Sequence, residues 1–386
     1  LKILYRIMSV IFVLALWLSC NPEKAPALPD SLPEQVQPSP LHTRHIMLLV
    51  VDGLQSGALE KTRAANINGL GSAGVRVDRM CVMPPDSRAA QIYSVFSGVE
   101  PARHGYLNTG DQPKVENILS LLQKRDNDTL LIDGTGELRG SMAGLKYFQS
   151  DNYEKDEQLI DLAIKEISGR KPFFSVIVLS GPYRAMQHYG EESSGYLEAV
   201  EDADNQLGRL LGYLHEQGLY EDTLVVVCGT VGKPPLVIRG REFAAGKTLP
   251  AVSNTDIAPT LAYLQGIEMP GASGLILWDA LQPGPGRPET YMLQQRVKDL
   301  SGAYAGILDE AGRLERKRIE VQEEKARLTQ DKYTMEREMK LRDYRIDKLN
   351  LTVRIMKIGF VVTLALFIIA LFVQFKVLKK RYLFFT

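Results

Sequence analysis

The sequence predicts an α/β protein: a central, mainly parallel sheet flanked by helices, followed by a long helical stalk and a transmembrane helix. Three observations point there. From His45 onward, apolar runs of strand length alternate with amphipathic stretches of helical length, the pattern of repeated βα units. Between Leu314 and Lys348, 20 of 35 residues are charged and neither glycine nor proline interrupts them, which predicts one long exposed helix. Ile358 to Phe375 is an 18-residue stretch without a formal charge, a length and polarity suited to crossing a membrane.

Composition narrows the function. The chain has 386 residues, 45% hydrophobic and 24% charged, with 46 basic against 46 acidic side chains, so bulk charge gives it no nucleic-acid-binding character. Three cysteines cannot build a disulfide framework, no CxxC motif suggests structural zinc, and five histidines are a thin supply for a metalloenzyme.

In chain order, residues 1–20 read as a signal peptide: Lys2 and Arg6 precede the apolar run Ile7 to Leu18, which ends at Ser19-Cys20. A small residue before cysteine resembles the lipobox of bacterial lipoproteins, which makes Cys20 a lipidation candidate, although Trp17 departs from the aliphatic residue usual there; an uncleaved anchor is the alternative. Residues 21–44 carry six prolines and form a tether. Strands are expected at Ile46 to Val51, Thr129 to Ile132, Phe173 to Leu179, Thr223 to Cys228 and Leu236 to Arg239. Helices are expected at Asn66 to Ala73, Val115 to Lys124, Asp156 to Ile167, Ser194 to Gln217 and Ile257 to Gln265. Near-continuous apolar strands imply a sheet covered on both faces. This domain spans 45–284, and the breaker-rich Gln282 to Pro288 opens a linker at 285–307.

The stalk, 308–356, carries Leu314, Val321, Leu328, Met335, Leu349 and Met356 on one seven-residue register, broken at Arg342; a second seam is filled only at Met339, Ile346 and Val353. A coiled coil to a homo-oligomer or another protein is one reading, a lone charged helix the other. The membrane segment is 357–376. The tail 377–386 follows; Lys376, Lys379, Lys380 and Arg381 come with no acid among them, which places the tail in the cytoplasm and the globular domain outside it.

The strand at Ile46 to Val51 runs into Asp52-Gly53, putting a carboxylate at the carboxyl edge of a strand, where α/β proteins build their sites. Further motifs follow in order: Asn66 to Leu70, Pro84-Pro85-Asp86-Ser87-Arg88, Ser97-Gly98 through Pro101 to His104-Gly105, Tyr189-Gly190, and Asn254 to Thr260. Together they resemble the alkaline phosphatase superfamily, in its type I phosphodiesterase/nucleotide pyrophosphatase and sulfatase-like branch, over about His45 to Leu281.

The resemblance implies two divalent metals, such as zinc, held by Asp and His at several strand ends, and a nucleophile at a helix start. Asp52 matches the first ligand. The next ligand pair falls on Tyr183 and Gln187, and the Asp-His pair after the strand Thr223 to Cys228 falls on Thr230 and Val231; none of these is a useful ligand. No histidine occurs between Lys233 and Thr255, where the last would lie. Counting back from Gly98 by the family's spacing lands on Arg88, while Ser87 fits with one extra residue. Ser87 is thus either a nucleophile or, with Asp86, the cap of a helix beginning at Arg88. His104 matches an architectural position, and His188 sits beside the lost ligand pair. Cys81 and Cys228 lie near strand ends expected to face the same cleft, where export could oxidise them to a disulfide; two buried free thiols are the alternative. The expectation is a membrane-tethered, extracytoplasmic pseudoenzyme without cofactor, acting in binding or assembly. The rival is a phosphodiester or sulfate ester hydrolase using Ser87, Asp52 and a non-standard metal site.

Overall fold

A computed structural model describes residues 43–142, 144–284 and 286–382. The expected signal peptide with Cys20, all but the end of the tether and the last four tail residues lie outside them. The described chain divides near residue 300 into a globular unit and a helical one.

Among the described residues, eight strands form one sheet: β1 (His45–Val51), β2 (Val75–Val77), β3 (Thr129–Asp133), β4 (Phe148–Ser150), β5 (Phe174–Leu179), β6 (Thr223–Cys228), β7 (Leu236–Arg239) and β8 (Lys247–Leu249), in the order β4-β3-β5-β1-β6-β7-β2-β8. Only β7 runs against its neighbours; β1 lies at the centre, parallel to both β5 and β6. The five strands legible in the sequence are those buried along their length. β2, β4 and β8 are three residues each, too short for any periodicity to reveal.

Alternate residues of β1 enter two different cores. Ile46, Leu48 and Val50 pack on one face, Met47, Leu49 and Val51 on the other, and β5 and β6 divide in the same way. With side chains alternating at period two, both faces need a helical cover. One face is covered by α3 (Arg88–Ser97), α5 (Ile118–Gln123) and α9 (Ile257–Leu264). The other is covered by α1 (Ser56–Lys61), α2 (Ala65–Ala73), α6 (Asp156–Arg170), α7 (Gly181–Tyr189) and α8 (Ser194–Glu216); the short α4 (Pro101–His104) follows α3. This is an alkaline phosphatase-like α/β architecture.

The expected linker at 285–307 is not one. A single helix, α10 (Glu289–Tyr382), begins directly after Pro288 and takes in the expected stalk and membrane segment. Its first turns belong to the globular unit: Met292 is buried, Tyr291 meets Trp278 edge to face, and the Trp278 indole donates to Asp299 Oδ2 at 2.7 Å. Just before the helix, Gly284 and Arg287 exchange backbone hydrogen bonds at 3.0 and 2.9 Å.

Candidate functional site

The loops after β1, β3, β5 and β6 converge at the carboxyl edge of the sheet, and Asp52 stands at their centre, fully buried. Two glycines allow the convergence. Gly53 has φ +82°, and a Cβ there would meet the Tyr183 backbone nitrogen at 2.5 Å; a Cβ on Gly229 would meet the Leu54 carbonyl oxygen at 2.3 Å. The starts of α7 and of the loop after β6 therefore lie directly against the end of β1, and the Tyr183 N–H donates to the Asp52 carbonyl at 3.0 Å.

The Asp52 carboxylate has two partners. Arg88 Nε donates to Oδ2 at 2.6 Å, and the Thr230 hydroxyl donates to Oδ1. Arg88 also reaches Glu137 Oε1 at 3.1 Å through its Nη1, and its guanidinium carbon lies 4.0 Å from the centre of the Tyr183 ring. One cation is thus clamped between two carboxylates and an aromatic face, with 19% of its side chain exposed. Burial pushes the Asp52 carboxyl above the usual carboxylate range, against the lowering effect of Arg88 and Thr230.

Glu137 is positioned by the loop after β3. Asp133, also buried, accepts from Thr135 N at 2.8 Å, Leu138 N at 3.1 Å and Ser150 Oγ at 2.6 Å, while the Glu137 N–H donates to Thr135 Oγ1 at 3.0 Å. The Tyr106 hydroxyl donates to the Glu137 carbonyl, and Thr109 to the Glu137 carboxylate at 2.5 Å. Asp133, Glu137 and Thr109 have no counterpart in the sequence reading. A carboxylate at the end of the predicted β3, on the model of Asp52, was the available signal.

Of the degenerate ligand positions, Tyr183 and Thr230 are gathered at Asp52. Gln187 is exposed on α7, and Val231 is buried in the apolar core. Ser87 is the N-cap of α3: Ala90 N–H points to its Oγ at 3.4 Å, and its hydroxyl donates to the Leu107 carbonyl. Cys81 and Cys228 are free thiols rather than a disulfide. Only one of the two is buried as expected: Cys81 is exposed, at an isolated bridge to Ser253 rather than inside a strand, and Cys228 is buried with its thiol pushed up to about 12 by desolvation. His188 is exposed and lines a groove of about 570 Å³ with Glu154, Arg184 and Asp202, on the α6–α8 side of the sheet.

His104 is structural. Its Nδ1 accepts from Tyr106 N–H at 3.0 Å, its Nε2 faces the Ala90 carbonyl at 3.2 Å and Ser94 Oγ at 3.1 Å, and burial lowers its pKa to about 4. The unfolded chain binds a proton near pH 6.5 and the folded one only near 4, so this group's contribution is complete above 6.5 and is lost as pH falls through that window. A His104→Gln variant is therefore expected to lose less stability than wild type between pH 6.5 and 4.5, by urea denaturation; parallel profiles would contradict it.

The donor set does not fit a divalent cation. Such an ion needs several oxygen or nitrogen donors converging on one point, whereas both Asp52 oxygens are engaged and the neighbouring charge is a guanidinium. Among the described residues no cluster of three or more His, Cys, Asp or Glu side chains is placed to hold a metal.

Comparison with known proteins agrees with the architecture. Residues 142–249 match the family model described as type I phosphodiesterase / nucleotide pyrophosphatase. An inactive variant of murine ectonucleotide pyrophosphatase / phosphodiesterase 5 in complex with AMP superposes with a TM-score of 0.56 at 12% identity, covering 62% of this chain and 100% of that one. The human protein of the same name gives 0.51 at 12% identity, covering 58% and 95%. A 2-O GAG sulfatase gives 0.52 at 15% identity, covering 61% and 73%. No curated protein matches by sequence.

Proposed function

We propose, from the premise that this domain belongs to the alkaline phosphatase superfamily in its phosphodiesterase and sulfatase-like branch, that it is a pseudoenzyme acting by binding or assembly at a membrane. One observation supports the reading: Arg88 is ion-paired to Asp52, the one position where the family resemblance finds a metal ligand kept, and in this reading the guanidinium stands in for a catalytic metal. A guanidinium neutralises Asp52 but cannot act as a Lewis acid or lower the pKa of a bound water, the two contributions a divalent ion supplies in this chemistry. Arg88 is also shared with Glu137, and one cation between two carboxylates leaves net negative charge, which opposes binding of a phosphate or sulfate ester. The hydrolase reading has less support. The Ser87 hydroxyl serves as a helix cap and donates to a carbonyl, and among the described residues no general base is bonded to it.

The chain is tethered in this reading by α10, which is long and apolar enough to cross a membrane. The basic run from Lys376 to Arg381 assigns the tail to the cytoplasm and the globular domain to the outside, with Cys20 as a second, lipid anchor.

The test uses the full chain purified in detergent and assayed on phosphodiester and sulfate ester substrates with zinc, manganese or magnesium added. The expected result is no turnover above that of Ser87→Ala. Metal-dependent turnover that disappears in Ser87→Ala would overturn the pseudoenzyme reading. Reporters fused after Leu281 and at Thr386 are expected on opposite sides of the membrane; finding both on one side would remove the membrane assignment.

A further inference from the structure

The stalk and the membrane segment are one uninterrupted helix, so their side chains share a single register. The apolar file from Leu314 to Met356 repeats every seven residues across six heptads. On a straight helix of 3.6 residues per turn such a file drifts by about 20° per heptad, or roughly 120° over this length, so no flat surface could follow it. A second helix supercoiling with the first can.

The same register continues into the apolar segment. Seven residues beyond Met356 lies Thr363, and the companion file through Ile346 and Val353 arrives at Gln374. Between Ile358 and Phe375 these are the only side chains with a hydrogen-bonding polar group, and both fall on the seam. In hydrocarbon, polar side chains of this kind hydrogen-bond between helices, since the lipid offers them no partner.

We propose that α10 pairs in parallel with α10 of a second copy of this chain, along a seam that runs from the stalk into the bilayer, with Thr363 and Gln374 bonding across it. This goes beyond the reading of the globular domain, apart from requiring that the helix span the membrane. A second copy is the occupant because an identical anchor sets both helices at the same depth and direction, aligning the register without further specification. Charge along the stalk is mixed. Arg318, Lys325 and Lys332 occupy the companion file, and in a parallel pair each meets the residue preceding it on the other copy: Lys325 and Lys332 meet Glu324 and Asp331, whereas Arg318 meets Lys317. Asp331 facing Glu336 and Glu338 facing Asp343 of the other copy also oppose pairing, and Arg342 interrupts the apolar file. The tightest contact is therefore below Arg342.

The experiment measures energy transfer between donor- and acceptor-labelled full-length protein in phosphatidylcholine vesicles, with insertion verified by resistance to carbonate extraction. Thr363→Val with Gln374→Leu is expected to weaken self-association about threefold to thirtyfold, and Gln374→Asn with native Thr363 to retain most of it. Glu324→Lys is expected to weaken it, and Glu324→Lys with Lys325→Glu to restore it. Absence of transfer in the wild type, transfer unchanged by the Thr363 and Gln374 substitutions, or failure of the charge swap to restore what Glu324→Lys loses would each overturn the proposal. Enzymatic turnover by the globular domain would leave these outcomes unaffected.

Discussion

Replacing Arg88 with methionine is expected to destabilise the globular domain by about 3 to 5 kcal/mol at pH 7.5, the range for breaking a buried ion pair from one side. Asp52 is the reason. It is fully buried and Arg88 is the cation it touches, so Arg88→Met leaves a carboxylate with one hydroxyl for company. The reverse change is expected to cost less. In Asp52→Asn the guanidinium keeps Glu137 at 3.1 Å, the Tyr183 face and its 19% exposure, and Thr230 can still donate to the amide oxygen, so roughly 1 to 2 kcal/mol is expected. The asymmetry is itself the test, since a symmetrical pair would give equal losses.

Acidity adds a second check. The Asp52 carboxyl already titrates above its ordinary value because of burial, and removing Arg88 removes the main influence holding it down. A carboxyl with a raised folded pKa destabilises the fold as pH rises through that value and ceases to do so as pH falls towards the unfolded value near 3.8. The difference between wild type and Arg88→Met, read from urea midpoints by the fluorescence of the buried Trp278, is therefore expected to narrow as pH falls from neutral towards that unfolded value. A constant or widening gap would mean that Asp52 is not the source of the loss.

The second large effect concerns metal affinity. Tyr183→Asp, Gln187→His, Thr230→Asp and Val231→His together place ligand types at the positions the family resemblance assigns, yet with Arg88 present they are expected to bind zinc weakly. A guanidinium in contact with Asp52 opposes a dication by several kcal/mol even in an effective dielectric near 20. Adding Arg88→Ser is expected to raise zinc affinity on the order of 100-fold, measured by competition with a chromogenic chelator. Equal affinity with and without Arg88 would show that the guanidinium does not hold the metal's place. A folded five-site variant that binds no zinc would show that the assigned ligand positions are wrong.

Much of this was legible in the residues alone. β6 and β7 have the bounds their apolar runs predict, and β1, β3 and β5 differ by one residue at an end, because a strand buried on both faces must be apolar throughout. Asp52 was legible because it interrupts such a run at its carboxyl end, and the missing ligands after β6 because Gly229 to Gly232 and Lys233 to Thr255 contain neither Asp nor His. The apolar stretch of α10 was legible because 18 uncharged residues need no tertiary context to be seen.

The tertiary structure supplied what lies between distant residues. The sequence left Ser87 and Arg88 as rivals for one position; the start of α3 separates them, turning Ser87 towards the Leu107 carbonyl and Arg88 towards Asp52, 36 residues away. Glu137 and Thr230 enter the site only because β3 and β6 end beside β1, although 178 residues separate Thr230 from Asp52. Periodicity reports which face a side chain takes on its own strand or helix, whereas an ion pair depends on which loop ends the packed sheet brings together, and that proximity has no local signature along the chain.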